Sequence, residues 1–124
     1  NLSTQGNAAD FGNLLSAIGS GQAASNSTRA IYASNENTPT NTIQYITIST
    51  NGNAQDFGDL NAAQQQGSAT ASPTRGVITG GYVSAYVNTI EYVQIMTTGD
   101  AIDFGDLSLA RGNTGSCSNG HGGL

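Results

Sequence analysis

Positive charge is nearly missing from this chain of 124 residues. The sequence has no lysine, and its three arginines are outnumbered by eight acidic residues, so the formal net charge is −5. Proteins that bind nucleic acids neutralise phosphates with clustered lysine or arginine, and anionic membrane surfaces attract the same side chains. The composition therefore argues against a nucleic-acid partner and against a membrane partner.

Cysteine and long apolar runs are also scarce. Cys117 is the only cysteine, so the chain cannot form an internal disulfide. No apolar run approaches the roughly 20 residues that a membrane-spanning helix needs. The sequence therefore predicts neither a disulfide framework nor a transmembrane helix.

Small polar residues fill most of the chain, while β-branched and aromatic residues gather in short runs such as 43–48. Disordered chains usually contain few residues of those two kinds. The combination favours a tightly turned all-β fold, as in phage fibres, adhesins and secreted filaments.

One nine-residue segment occurs three times, at 6–14, 52–60 and 99–107. Its phenylalanines are Phe11, Phe57 and Phe104, and they are separated by 46 and 47 residues. Constant spacing of this kind indicates a structural repeat.

Two more segments keep the same period. Residues 28–32 recur at 74–78, and residues 41–48 recur at 88–95. The chain therefore divides into about two and a half repeats within one domain. The predicted parts are a half repeat (1–14), a first unit (15–60), a second unit (61–107) and a Gly/Ser-rich tail (108–124).

Each unit reads as three or four short strands. Residues 43–48 alternate with apolar groups on both faces, which is typical of a central strand covered on both sides. Val77-Ile78 leads into a predicted turn at Gly80-Gly81. In the Asp-Phe-Gly motif, Phe and Leu are three apart, so they share a face only if the glycine makes a bulge.

A 46-residue unit of four antiparallel strands suits a β-propeller blade. Two and a half blades cannot close a ring of four to eight, and open strand edges invite pairing with another chain. The sequence therefore predicts a homo-oligomer, a trimer or higher, in which the N-terminal half repeat completes a neighbour's blade.

Several of these segments resemble the kelch-like repeat proteins of marine bacteriophages. The matching residues are Thr74 to Val77, Gly80-Gly81, Asn88 to Tyr92 and Asp103 to Leu107. The resemblance implies a virion structural protein, such as a tail-fibre or decoration protein, located on the virion or outside the cell. The chain departs from the family at residues 30–34, which lack the double glycine, and in its short length.

The repeated carboxylates are the first candidates for chemistry. Asp56 with Asp59, and Asp103 with Asp106, could bind Ca²⁺ or act as an acid/base pair. The alternative is that they cap turns by accepting backbone N–H groups. Because a scaffold feature recurs in every unit whereas a catalytic pair is needed once, we expect a structural role, no enzyme activity and no cofactor.

The arginines of the repeat are the second candidates. Arg29 and Arg75 occupy one position, and an arginine buried between units must be paired. The repeated acidic residue, at Asp10, Asp56 and Asp103, is a suitable bidentate partner. The sequence therefore predicts arginine–aspartate pairs that stabilise the repeat.

A tyrosine-rich segment at residues 81–86 is the best candidate for ligand recognition. Tyr82 and Tyr86 could stack on a sugar, although tyrosines in β folds more often pack in the core or rim. Cys117 and His121 have a spacing that could bind Zn²⁺, but two ligands are too few for a structural site. The leading function is thus a virion or filament structural protein, and the alternative is an adhesin or lectin-like module that binds a host glycan.

Overall fold

The computed structural model describes residues 6–33 and 40–118. Within these ranges the chain has eight β-strands and no helix. The strands are β1 (Gln22–Ser25), β2 (Arg29–Ala33), β3 (Thr42–Thr47), β4 (Gln55–Asp59), β5 (Ser68–Ala71), β6 (Arg75–Tyr82), β7 (Tyr86–Gln94) and β8 (Ile102–Asp106). They form two antiparallel sheets in chain order, β1-β2-β3-β4 and β5-β6-β7-β8. The predicted all-β fold of tandem four-stranded units is confirmed, and each sheet has the strand order of a propeller blade.

The described ranges contain no helix long and apolar enough to cross a membrane.

The third strand of each sheet lies between two partners, as its sequence pattern predicts. In β3, Ile43 is 0% exposed and its neighbour Gln44 is 2% exposed, although their side chains point to opposite faces. Both faces of the strand are therefore covered.

A β-bulge interrupts the last strand of each sheet. Ile43 pairs with Gly58 and Gln44 pairs with Asp56, so Phe57 is the extra residue. The same shift leaves Phe104 unpaired in β8. Phe57 and Leu60 are both buried in the same core cluster, an arrangement that their spacing in a strand allows only with a bulge.

A side-chain-capped turn starts the second strand of each sheet. Asn26 Oδ1 accepts hydrogen bonds from the amides of Thr28 and Arg29 at 2.9 and 2.8 Å. Ser72 Oγ accepts from the Arg75 amide at 3.0 Å in the second unit. The repeated Thr-Arg segment is thus the exit of a turn that short polar side chains stabilise.

The core lies between the two sheets, which pack face to face. Its buried members are Ile31, Ala33, Ile43, Phe57, Leu60, Ile78, Val93 and Ala101. Gly76 allows the close approach, because a Cβ there would lie 2.5 Å from Ile31 Cδ1. Each large apolar side chain buried in this way stabilises the fold by about 1.5–3 kcal/mol.

The C-terminal tail continues the repeat instead of leaving the sheet. The hydroxyls of Ser116 and Ser118 donate to the Ala69 and Ala71 carbonyls of β5, each at 2.6 Å. Since β5 itself lies beside β1, residues 114–118 take the position of the first strand of a further unit. Residues 119–124, including His121, lie outside the described ranges.

The double glycine of β6 does not make the predicted turn. β6 runs through Gly80 and Gly81, whose φ angles are +60° and +127°, and ends at Tyr82. A register shift between Thr79 and Gly81 shows that the pair forms a second bulge. The turn itself is at residues 83–85.

Candidate assembly interface

The aspartate of the Asp-Phe-Gly motif has a local structural role. The Oδ1 atoms of Asp10, Asp56 and Asp103 each accept a hydrogen bond from the glycine amide two residues later, at 3.1, 3.1 and 2.9 Å. Those glycines have φ angles between +143° and +148°, a region that L side chains rarely adopt. The aspartate therefore stabilises the same glycine backbone conformation in all three copies, and in β4 and β8 that glycine lies at the bulge.

A set of three backbone-centred hydrogen bonds joins the first unit to the second. The amide of Gly99 donates to the Phe57 carbonyl at 2.7 Å, and the amide of Ala101 donates to the Asp59 carbonyl at 2.8 Å. The Asp59 amide donates to Oδ1 of Asp100 at 3.0 Å. The Gly-Asp-Ala turn of one unit thus pairs with the outer edge of the preceding unit's last strand.

The same three bonds join the N-terminal half repeat to the first unit. Gly52 donates to the Phe11 carbonyl at 2.9 Å, Ala54 to the Asn13 carbonyl at 2.8 Å, and the Asn13 amide to Asn53 Oδ1 at 2.9 Å. We call this three-bond arrangement the motif junction. The junction is built in the same way with Asn53 as with Asp100, because each of these side chains has an Oδ1 atom that accepts the hydrogen bond.

The motif glycine permits the junction because it leaves room for the turn. A Cβ at Gly58 would collide with the Gly99 carbonyl, and one at Gly12 would collide with the Gly52 carbonyl. At Gly105 a Cβ would meet no atom within 4 Å. The third copy of the motif therefore presents the acceptor side of a junction that no described residue fills.

Exposure of the motif phenylalanine differs between the copies in the same way. Phe57 is 2% exposed under the second unit, whereas Phe104 is 59% exposed. Phe11 is half-buried. Phe57 and Phe104 have equivalent positions in β4 and β8, and their burial differs because only Phe57 is followed by another unit.

The predicted arginine–aspartate pairs are wrong. The Arg29 guanidinium lies 4.4 Å above the Tyr45 ring, and the Arg75 guanidinium lies 4.8 Å above the Tyr92 ring. These are cation–π distances. The partner of each repeated arginine is therefore an aromatic face of its own sheet and not a motif aspartate.

Each tyrosine also packs against the motif phenylalanine of its own sheet. Tyr45 and Phe57 meet edge-to-face at 5.9 Å between ring centroids, and Tyr92 and Phe104 do the same at 5.9 Å. Arg29 Nη1 additionally donates to the Ile95 carbonyl of the second unit at 3.1 Å. The arginine–tyrosine–phenylalanine stack is therefore both an intra-sheet feature and a contact between units.

The candidate metal ligands are not brought together. Within residues 6–33 and 40–118, no three or more His, Cys, Asp and Glu side chains are placed to hold a metal ion. Asp59 and Asp106, the second carboxylates of the weak Ca²⁺ candidates, lie on the surface. Cys117 is also exposed, and its predicted companion His121 is not among the described residues.

The candidate sugar-binding tyrosines do lie together. Tyr82 and Tyr86 face each other across the β6–β7 hairpin, edge-to-face at 5.5 Å. Tyr86 is 52% exposed, and Gly112 of the tail lies against its ring. An aromatic edge with adjacent backbone polar groups is thus open to solvent.

A buried carboxylate, Glu91, is a feature that the sequence reasoning missed. It is 3% exposed, its Oε1 accepts from the Asn61 amide at 3.2 Å, and Oε2 has no described partner. Burial raises the pKa of Glu91, as does the nearby charge of Asp103, against the opposing hydrogen bond from Asn61. The signal was available: the equivalent position of the first unit is Gln44, which accepts from the Leu15 amide in the same way.

We expect Glu91→Gln to stabilise the protein at neutral pH. Because the folded-state pKa lies above the unfolded-state value, the folded protein binds more protons between the two, and stability falls as pH rises through that window. The neutral amide, which Gln44 already provides in the first unit, removes the cost of an ionised buried carboxylate. Thermal melts should show a gain of a few degrees at pH 7, about 1 kcal/mol.

The reciprocal change, Gln44→Glu, is the matched control. It should lower the melting temperature at pH 7 and recover on acidification, because the new carboxyl group becomes neutral. An equal effect of Glu91→Gln at pH 4 and pH 7 would contradict this interpretation.

No known protein-family model matches the sequence, and a search of curated proteins finds no match to it.

Proposed function

We propose that this chain is a non-catalytic virion structural protein, a phage tail-fibre, decoration or filament component, that assembles through its β-repeat units. The observation that carries the proposal is the motif junction, which is made twice within the chain and left open at Gly105. The virion assignment comes from the resemblance of the repeat segments to kelch-like phage proteins. Copies of the same chain are the first partners proposed, and other virion proteins are the second.

The open edge supports assembly on physical grounds. Proteins that stay monomeric protect exposed strand edges with charge, proline or a covering segment. β8 carries two exposed aspartates, but β4 carries the same pair and still binds the second unit. β8 also exposes apolar side chains, Ile102 at 54% and Phe104 at 59%. A following unit would bury Phe104 as the second unit buries Phe57.

The repeated carboxylates support a scaffold over an enzyme. Asp10, Asp56 and Asp103 hold the same local hydrogen bond in every copy. A role shared by all copies is a property of the repeat, whereas an acid/base pair acts at a single site.

Two measurements test the proposed function. Sedimentation equilibrium should give a weight-average mass that rises with concentration above the 12.6 kDa of one chain. Labelling of intact particles with an antibody should place the protein at a regular lattice or shaft position. A single-chain mass at every concentration, or absence from the particle, would contradict the proposal.

A glycan-binding module is the second candidate, and the Tyr82–Tyr86 pair favours it. Exposed aromatic rings supply contact area at low conformational cost, and adjacent polar groups supply hydrogen bonds. If the module binds a host glycan, Tyr86→Ala should abolish binding on a glycan array, while Tyr86→Phe, which keeps the ring, should retain it. Equal binding by Tyr86→Ala and the unaltered chain would remove the pair from consideration.

A further inference from the structure

The strongest unassigned feature is the unfilled acceptor side of the motif junction on β8. At the two filled junctions, the preceding motif offers two carbonyl oxygens and one amide, and its glycine leaves space for the turn. The third motif offers the same groups: the carbonyls of Phe104 and Asp106, the Asp106 amide and the space beside Gly105.

The donor side of the same junction is present at the other end of the chain. Residues Gly6-Asn7-Ala8 have the sequence of the turn Gly52-Asn53-Ala54, and Gly99-Asp100-Ala101 differs only in its middle residue. Ala54 and Ala101, the last residues of the two engaged turns, are each 5% exposed. Ala8, the last residue of the N-terminal turn, is exposed, as are Gly6 and Asn7.

We infer that Gly6-Asn7-Ala8 of a second copy binds the outer edge of β8, forming a head-to-tail motif junction between chains. Gly6 donates its amide to the Phe104 carbonyl, Ala8 donates to the Asp106 carbonyl, and Asn7 Oδ1 accepts from the Asp106 amide. The Gly6 carbonyl lies over Gly105, as the Gly52 and Gly99 carbonyls lie over Gly12 and Gly58. This inference rests on the proposed assembly function and names the surfaces that perform it.

The tail is compatible with this junction. Residues 114–118 hold the position of the first strand of a further unit, on the inner side of the second sheet. The partner's motif would add the last strand of that unit on the outer side, so the two segments do not compete. A shallow groove of about 380 Å³ between Phe104 and Cys117 separates the two positions.

The geometry of this junction determines the type of assembly and indicates that the association is reversible. A junction between two different surfaces is heterologous, so each copy uses one donor and one acceptor, and the product is a ring or an open fibre. Only the outer part of the internal interface is reproduced, because the central strands of the shared unit are missing. We therefore expect a concentration-dependent equilibrium.

The test uses full-length variants in sedimentation equilibrium. Gly6→Pro removes the amide that donates to Phe104, and Asn7→Leu removes the accepting oxygen; each should return the mass to that of one chain. Asn7→Asp should assemble like the unaltered chain, because Asp100 performs this role inside it. Circular dichroism melts at low concentration should show that all three variants keep the unaltered stability.

Mixing experiments test the head-to-tail direction. Gly105→Ala places a Cβ where the incoming Gly6 carbonyl would lie, so it blocks the acceptor side and leaves the donor side intact. Gly6→Pro does the reverse. Each variant alone should be a monomer, and an equimolar mixture should form a dimer held by one junction.

The outcomes separate this inference from the proposed function. An unaltered chain that assembles, together with Gly6→Pro and Asn7→Leu variants that assemble equally well, would overturn the head-to-tail junction and leave the proposed function standing. Enhanced assembly after removal of residues 1–14 would also overturn it, because the second copy would then bind through another surface. An unaltered chain that never associates would overturn both.

Discussion

Replacing Gly58 with alanine should destabilise the protein far more than the same replacement at Gly105. Both glycines form the bulge of a last strand, with φ angles of +143° and +145°. The conformational strain of an L residue is therefore the same at both positions, about 1–3 kcal/mol. Only at Gly58 does the new Cβ also collide with a neighbouring turn, at the Gly99 carbonyl.

The difference between the two variants measures the motif junction. The Cβ either overpacks the filled site, at a cost of about 1–3 kcal/mol, or opens the junction, at a cost of about 0.5–1.5 kcal/mol for each of the three hydrogen bonds. We expect Gly58→Ala to lose about 2–4 kcal/mol more than Gly105→Ala in urea unfolding. Gly6→Pro should be present in both variants, so that the acceptor side of β8 is empty in the comparison.

Gly12→Ala gives a third comparison within the same repeat. Its Cβ would collide with the Gly52 carbonyl, but the half repeat that it would displace contains no strand of either sheet. The expected result is faster amide exchange at Gly52 and Ala54 with little change in global unfolding. Equal global stability of the Gly58 and Gly105 variants would show that the junction contributes little to the fold.

Much of this fold could be predicted from the sequence because each pattern that indicates a strand or a turn occurs more than once along the chain. The alternation in residues 43–48 predicted a central strand, and the spacing of Phe57 and Leu60 predicted opposite faces for the two side chains unless the strand contained a bulge. In both cases the backbone geometry alone determines which face a side chain occupies. An alternating pattern can therefore be interpreted without knowing which elements cover the two faces of the strand.

Contacts between elements could not be predicted in the same way. The position of Arg29 suggested a carboxylate partner, but the sequence does not show that the motif aspartate is used by its own glycine or that Tyr45 lies opposite. Cross-strand register decides such pairs, and register depends on the bulge as well as on the pattern. The same reason explains Gly80 and Gly81, which look like a turn but continue β6 as a bulge.

The candidate interface was predictable in outline. Three copies of one motif in a chain of two and a half repeats predict an unfilled end. The residues that fill the two internal junctions could not be predicted, because turns such as Gly52-Asn53-Ala54 contain no distinctive side-chain chemistry. Their importance lies in backbone amides and one side-chain oxygen, whose direction only the fold determines.

Replacing Phe57 with alanine should cost about 3–5 kcal/mol and lower the melting temperature by about 10 °C or more, whereas Phe104→Ala should change stability by less than about 1 kcal/mol. Both side chains make the same edge-to-face contact with a tyrosine of their own sheet. They differ in burial, at 2% and 59% exposed, because only Phe57 is covered by a following unit. The large loss of stability expected for Phe57→Ala therefore has two parts: the lost free energy of burying the ring in the core between the units, and the cost of the cavity that remains.

The concentration dependence of these two variants extends the comparison to assembly. The turn and motif of a following copy would cover part of Phe104, so Phe104→Ala should weaken self-association while leaving the melting temperature of the dilute monomer unchanged. Phe57→Ala should lower the melting temperature of the dilute monomer and leave the self-association of the folded chain unchanged. A Phe104→Ala variant that loses as much monomer stability as Phe57→Ala would mean that both rings belong to the internal core, and β8 would then not be the exposed end of the repeat.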